Sequence, residues 1–152
     1  MIDQLPKAAC LFLVNIDGDG TVKVASVTRR GTSIRSLPGG KVDPGESSVE
    51  AACREALEEI GINLNSKHLD LLHTGICEGG KDGVDYLCDT FFSWECYTVA
   101  PELKQLEKGI EPAWISVDEL LAQPIFQSYN KDVVIKALLK IIKNVYTSLS
   151  MC

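Results

Sequence analysis

Apolar positions follow two rhythms along this 152-residue chain, and the change between them predicts most of its elements. Residues 8–14 form an unbroken apolar run, the pattern of a strand buried on both faces. Asp17-Gly18-Asp19-Gly20 is turn chemistry, so residues 21–28 are predicted to return as the second strand of a hairpin. Residues 29–36 are polar, contain Gly31 and read as a loop, and the stretch from Leu37 to Gly45 is too rich in Gly and Pro for a helix. At Ser47 the rhythm changes. Ser47 and Glu50 have capping-box spacing, and Val49, Ala52, Cys53, Ala56, Leu57 and Ile60 recur at three- and four-residue steps before Gly61, which is placed to end the helix. Residues 68–77 and 84–99 read as strands around a turn-rich 78–83, followed by a charged connection over 102–109. Residues 113–117 are a short apolar segment with Trp114, and 118–121 suit one helical turn. Asn130 is predicted to cap a last helix through Tyr146, with Val134, Leu138, Ile141, Ile142 and Val145 on its inner face. Strands with interspersed helices and a hairpin predict an α/β fold, a mixed sheet covered by helices, in one domain over 1–152.

Composition adds exclusions. At 45% hydrophobic and 24% charged the chain has the make-up of a globular protein. Its apolar runs fall far short of the roughly 20 residues that span a bilayer, so no membrane association is expected. Met1 to Lys7 lacks the basic and apolar regions of a signal peptide, and the six cysteines contain no C-x-x-C pair. Reduced core thiols in a cytoplasmic protein are therefore expected. A net charge of −6 disfavours nucleic acid as a partner. An anionic substrate would need that acidity offset, usually by a divalent cation.

The first helix carries the candidate chemistry. Glu55, Glu58 and Glu59 are spaced to share one side, away from the apolar stripe, where like charges repel one another. Mg²⁺ takes such oxygen ligands together with water and substrate phosphates. The three carboxylates alone are equally compatible with a solvated acidic face relieved by Arg54 and lysines. The preceding loop adds weight, because Gly39, Gly40 and Gly45 permit close approach to a ligand, and a peptide carbonyl there offers a further oxygen.

Gly40, five residues, Glu46, seven residues, Arg54-Glu55, two residues, Glu58-Glu59, one residue, then Gly61-Ile62: this pattern resembles the signature of the Nudix hydrolases, the MutT-like family. Ala56 departs from it, standing where a larger aliphatic is usual, and removes no charged group. The resemblance implies a Nudix-type α/β/α sandwich with a mixed β-sheet, and metal-dependent hydrolysis of nucleoside diphosphates linked to another moiety. It implies that the Gly39 carbonyl, Glu55 and Glu59 are metal ligands, with Glu58 a further ligand or carboxylate partner. Glu46 and Arg54 would form an orienting pair, since the planar guanidinium engages both carboxylate oxygens. Mg²⁺, with Mn²⁺ as substitute, would neutralise the phosphates and acidify the attacking water.

Several positions stay open. The proton acceptor is Glu55 or a residue of a later loop, for which Glu107 and Glu111 are candidates, each with a surface charge as the plainer reading. Arg29, Arg30 and Lys41 are candidates for substrate phosphates. Trp114 reads as packing rather than base stacking, Phe91, Phe92 and Trp94 should alternate between core and cleft, Tyr86 is undecided, and His68 and His73 read as structural. No proline falls between Pro44 and Pro101, and Gly79 and Gly80 stand where hydrolases of dinucleoside polyphosphates carry tyrosine. The resemblance then favours a nucleoside triphosphate cleaved to monophosphate and pyrophosphate. Sugar nucleotides, dinucleoside polyphosphates and a catalytically idle nucleotide sensor are the alternatives. Monomer and homodimer are both compatible with the sequence.

Overall fold

The computed structural model describes residues 4–80 and 83–150; Cys152 and part of the predicted 78–83 turn lie outside them. Its elements run β1 (Lys7–Ile16), β2 (Val22–Thr28), β3 (Arg35–Ser36), β4 (Gly39–Lys41), α1 (Ser48–Ile60), β5 (Leu69–Cys77), β6 (Tyr86–Ser93), β7 (Pro112–Ser116), α2 (Val117–Leu121) and α3 (Gln127–Ser150). The strands form a mixed sheet ordered β3-β2-β1-β6-β5, with β4 also paired to β1 and β7 to β2. β1 and β6 are parallel, and the other pairs are antiparallel.

Strand β1 explains both the layering and the cleft. Its period of two sends Ala9, Leu11 and Leu13 into a core with Ala51, Ala52, Ala56 and Ile60 of α1. Phe12 and Val14 point the other way, into a core with Leu120 of α2 and Val133, Val134, Ala137 and Ile141 of α3. Burial on both faces is why the sequence there is continuously apolar. One stretch of β1 pairs with β2 (Val14↔Val24, Ile16↔Val22) and another with β4 (Ala8↔Lys41, Cys10↔Gly39). The two partners therefore leave β1 at different points, and the loop between them borders a cleft.

Helix α1 has its predicted ends. The Ser47 hydroxyl accepts the Glu50 N–H, the Glu50 carboxylate accepts the Ser47 N–H, and Gly61 closes the helix in the left-handed region at φ 74°. Its buried face is narrower than predicted, because small alanines bring it close to the sheet and leave Leu57 48% exposed. The carboxylates also lie differently. Glu59 is buried, at the edge of the packed face rather than opposite to it.

Other expectations are corrected by local hydrogen bonding and packing. Within the predicted 29–36 loop, Arg35 and Ser36 form β3 against β2. The strand predicted from His68 starts at Leu69, because Asn65 caps a 3-10 turn over Ser66–His68. β6 ends at Ser93 in a turn closed by the Tyr97 N–H on the Trp94 carbonyl, rather than running to residue 99. Phe91 and Phe92 enter the two cores on opposite faces, so neither points into the cleft. Helix α3 starts at Gln127, which puts Asn130 inside the helix and buried rather than at its cap. Its packing against the domain ends near Ile141, and the predicted inner residues Ile142 and Val145 are exposed. No helix among the described residues is long and apolar enough to cross a membrane.

Candidate active site

A cleft of about 740 Å³ opens where β4 and the C-terminal half of α1 meet β1. Glu55, Glu58 and Glu59 line it together with Gly39, Gly40 and Lys41. Helical spacing places the three carboxylates on successive turns, and the short β4 brings the glycine-rich loop alongside them. Gly40 has a specific reason to be glycine: a Cβ there would lie 2.8 Å from the Glu55 carboxyl carbon. At Gly39 a Cβ would come within 2.9 Å of the Cys10 Cα.

Each carboxylate has a different environment. Glu59 Oε1 accepts the Gly39 N–H at 2.8 Å, yet burial, with Glu55, Glu107 and Glu58 nearby, pushes its pKa from an ordinary 4.5 up to about 8. Burial also raises Glu55, against the opposing pull of the Arg54 guanidinium. Glu58 is about half exposed. Arg54 ties the row together from outside the cleft. It donates to both oxygens of Glu46 (2.8 and 3.0 Å), to Glu55 (3.0 Å), to Glu58 (3.3 Å) and to the Lys41 carbonyl (3.0 Å). Glu46 in turn accepts the Asp43 N–H, so the loop, Glu46 and Arg54 form one brace.

These oxygens suit a hard divalent cation, and Glu59, whose pKa is raised first by burial and then by its acidic neighbours, marks the place where positive charge would stabilise most. Among the described residues, no three His, Cys, Asp or Glu side chains converge as a finished ligand set. The reason is visible in the hydrogen bonds: Glu55 and Glu58 turn toward Arg54, and Glu59 toward the Gly39 N–H.

The other predicted residues divide. Arg29 and Arg30 line the cleft, Arg29 5.4 Å from the Phe126 ring and Arg30 on Glu107 at 2.8 Å. Lys41 sits 5.9 Å from the Tyr86 ring. Glu107 lines the cleft, and its charge contributes to the raised pKa of Glu55 and Glu59. Glu111 does not line it; its backbone N–H is held by the Thr28 hydroxyl. Trp114 donates to the Pro101 carbonyl and packs against the α1-side core. Cleft residues that no sequence pattern announces include Ala8, Cys10, Cys77, Cys88, Phe126, Tyr129 and Asn130. They come from β1, β5, β6, the residue before α3 and its first turn, and as cysteines and ordinary apolar or capping residues they carry no local signal. Phe126, at φ 53°, is the one non-glycine described with a positive φ, which a sequence does not reveal.

The sequence matches the NUDIX domain family over residues 4–137, which takes in the loop, the helix and every strand of the sheet. This chain belongs to that family. Two relatives of the Nudix chain carry named activities. Nudix hydrolase 3 of Caenorhabditis elegans is 43% identical over 60 residues, 36% of this chain and 24% of that protein. The putative 8-oxo-dGTP diphosphatase of Bacillus subtilis is 54% identical over 41 residues, 27% of this chain and 28% of that protein. The matched segments thus span about a quarter of the length of these relatives. Among solved structures, the NUDIX domain of Shewanella oneidensis NrtR, complexed with ADP ribose, superposes with a TM-score of 0.69 over 90% of this chain and 88% of that one. At 14% identity, that likeness speaks to the Nudix fold alone.

Proposed function

We propose that this Nudix chain hydrolyses a phosphorus anhydride in a nucleotide with the help of a divalent cation, Mg²⁺ or in its place Mn²⁺. A nucleoside triphosphate is the leading substrate, cleaved to the monophosphate and pyrophosphate. One observation carries the reading: three carboxylates of one helix, with burial raising two of them, border the same cleft as Arg29, Arg30 and Lys41. Acidic ligands and basic phosphate partners on one cavity fit a polyanion bound through a cation. The name of the B. subtilis relative favours the triphosphate over a diphosphate conjugate.

In this reading Glu55, Glu58, Glu59 and the Gly39 carbonyl would hold the cation, which when bound neutralises phosphate charge and acidifies the attacking water. Arg29, Arg30 and Lys41 hold and orient the phosphates. Lys41 and Arg29 lie against aromatic rings, which limits their freedom before substrate arrives. Glu55, which borders the cleft, takes the proton of the water as an alternative to its place among the ligands. Arg54 and Glu46 position Glu55 and Glu58 without touching the substrate.

The test is a nucleotide panel incubated with Mg²⁺ or Mn²⁺, with the products separated to identify the bond broken. Release of monophosphate and pyrophosphate from a triphosphate supports the proposal. Faster turnover of a sugar nucleotide or dinucleoside polyphosphate would reassign the substrate, and no turnover of any member with either ion would overturn the reaction.

A further inference from the structure

The floor of the cleft carries sulfur that the proposed hydrolysis does not use. Cys10 on β1, Cys88 on β6 and Cys77 on β5 stand on three adjacent strands, and all three line the cavity. The register explains the clustering. Cys88 lies beside Ala8 on one neighbour and beside Gly75 on the other, so Cys10 and Cys77 are its diagonal neighbours, two positions along each strand. Side chains two positions apart share a face of the sheet. The Cys10 and Cys88 sulfurs are 3.3 Å apart, and both residues are free thiols. Core packing alone requires small apolar side chains here, not a thiol pair in contact.

We infer that Cys10 and Cys88 form an oxidisable thiol pair, closed to a disulfide by a hydroperoxide that enters the cleft. Cys10 is the attacking residue because a peroxide can reach it, being partly exposed where Cys88 is 1% exposed, even though contact with Cys88 and burial raise its thiol pKa. The Cys10 sulfur attacks the terminal peroxide oxygen, the O–O bond breaks, and the leaving oxygen departs as water or, from an organic peroxide, as an alcohol. The resulting Cys10 sulfenic acid is attacked by the Cys88 sulfur, the S–O bond breaks, and the hydroxyl leaves as water with the second thiol proton. Two thiols are oxidised by two electrons and one peroxide is reduced.

Closing the bond brings the sulfurs together by a further ~1.3 Å. That movement acts on the carboxylate site, a consequence that rests on the hydrolase reading. Cys10 is the β-pairing partner of Gly39, a Cβ on Gly39 would lie 2.8 Å from its sulfur, and the Gly39 N–H holds Glu59. Drawing Cys10 toward β6 therefore shifts the segment that aligns Glu59. Thiol–disulfide exchange with a small dithiol reopens such a bridge, which makes the effect reversible.

The experiment treats the purified chain with hydrogen peroxide, alkylates the remaining thiols, and maps cross-linked peptides by mass spectrometry. Hydrolysis is measured on the same samples before oxidation, after it, and after dithiothreitol. The expected result is a Cys10–Cys88 peptide, retained in Cys77→Ser and absent in Cys10→Ser and Cys88→Ala, with melting curves verifying that each variant folds. Turnover should fall at least ten-fold in cross-linked protein and return on reduction. Peroxide that leaves these cysteines unlinked, or links Cys77 instead of Cys10 to Cys88, would overturn the pair. Full turnover by cross-linked protein would overturn its link to the carboxylates. Because the cross-link is read by mass, a chain that hydrolyses no nucleotide in any state refutes the hydrolase proposal and leaves the thiol pair standing or falling separately.

Discussion

Acidic side chains reach the cleft from two regions, helix α1 and the loop before β7, and the two are built for different work. On α1, Glu55 and Glu59 are largely withdrawn from solvent, braced by Arg54 and the Gly39 N–H, and raised in pKa by burial. In the loop, Glu107 keeps 39% of its side chain exposed and pairs with Arg30, itself 65% exposed. A salt bridge so exposed stabilises by less than ~1 kcal/mol and rearranges easily. The helix thus offers fixed, poorly solvated oxygens suited to a cation, while the loop offers an exposed charge pair suited to meeting substrate. Rigid elements place catalytic groups more tightly than loops do.

That contrast makes graded predictions. Glu59→Gln keeps the shape and the contact with the Gly39 N–H but removes the charge, so turnover should fall about a thousand-fold or more, the scale of several kcal/mol of lost charge stabilisation. Steady-state kinetics with excess Mg²⁺ would measure it, and a loss under ten-fold would remove Glu59 from the ligand set. Gly40→Ala should come next, since the added methyl displaces the Glu55 carboxylate; a ~100-fold loss with little change in melting temperature is expected. Arg54→Ala should cost about 10- to 100-fold and raise the Mg²⁺ concentration needed for half-maximal rate, as when a partner of metal ligands is lost. Glu107→Gln should cost about ten-fold at most and leave stability within ~0.5 kcal/mol. An effect equal to that of Glu59→Gln would erase the distinction between helix and loop.

A separate prediction concerns pH and the metal-free protein. Glu59 titrates near 8 when folded and near 4.5 when unfolded, so between those values the folded chain holds more protons. Stability should therefore fall as pH rises from 4.5 through 8 and then level off. Denaturant unfolding in the presence of a chelator would show this slope, and Glu59→Gln should flatten it. An unchanged slope in that variant would assign the titration to another group.

What the sequence determined by itself was local. The capping box at Ser47, the αL stop at Gly61, the hairpin after Ile16 and the spacing of Glu55, Glu58 and Glu59 all rest on interactions within a few residues, and the structure reproduces them. The Glu46–Arg54 pair was also legible, though through family resemblance rather than local rules. Tertiary structure alone decided which flank of α1 is buried, since only contact with β1 distinguishes Glu59 at the edge of the core from Leu57 in solvent. It likewise brought Glu107 into the cleft and left Glu111 out, moved Asn130 from a cap into a buried helical position, and gathered Cys10, Cys77 and Cys88 from three strands onto one floor. Hydrogen-bonding and helical periods act over a handful of residues and are written in the sequence. Burial and charge environment depend on segments distant in the chain, and they exist only once the sheet has brought those segments together.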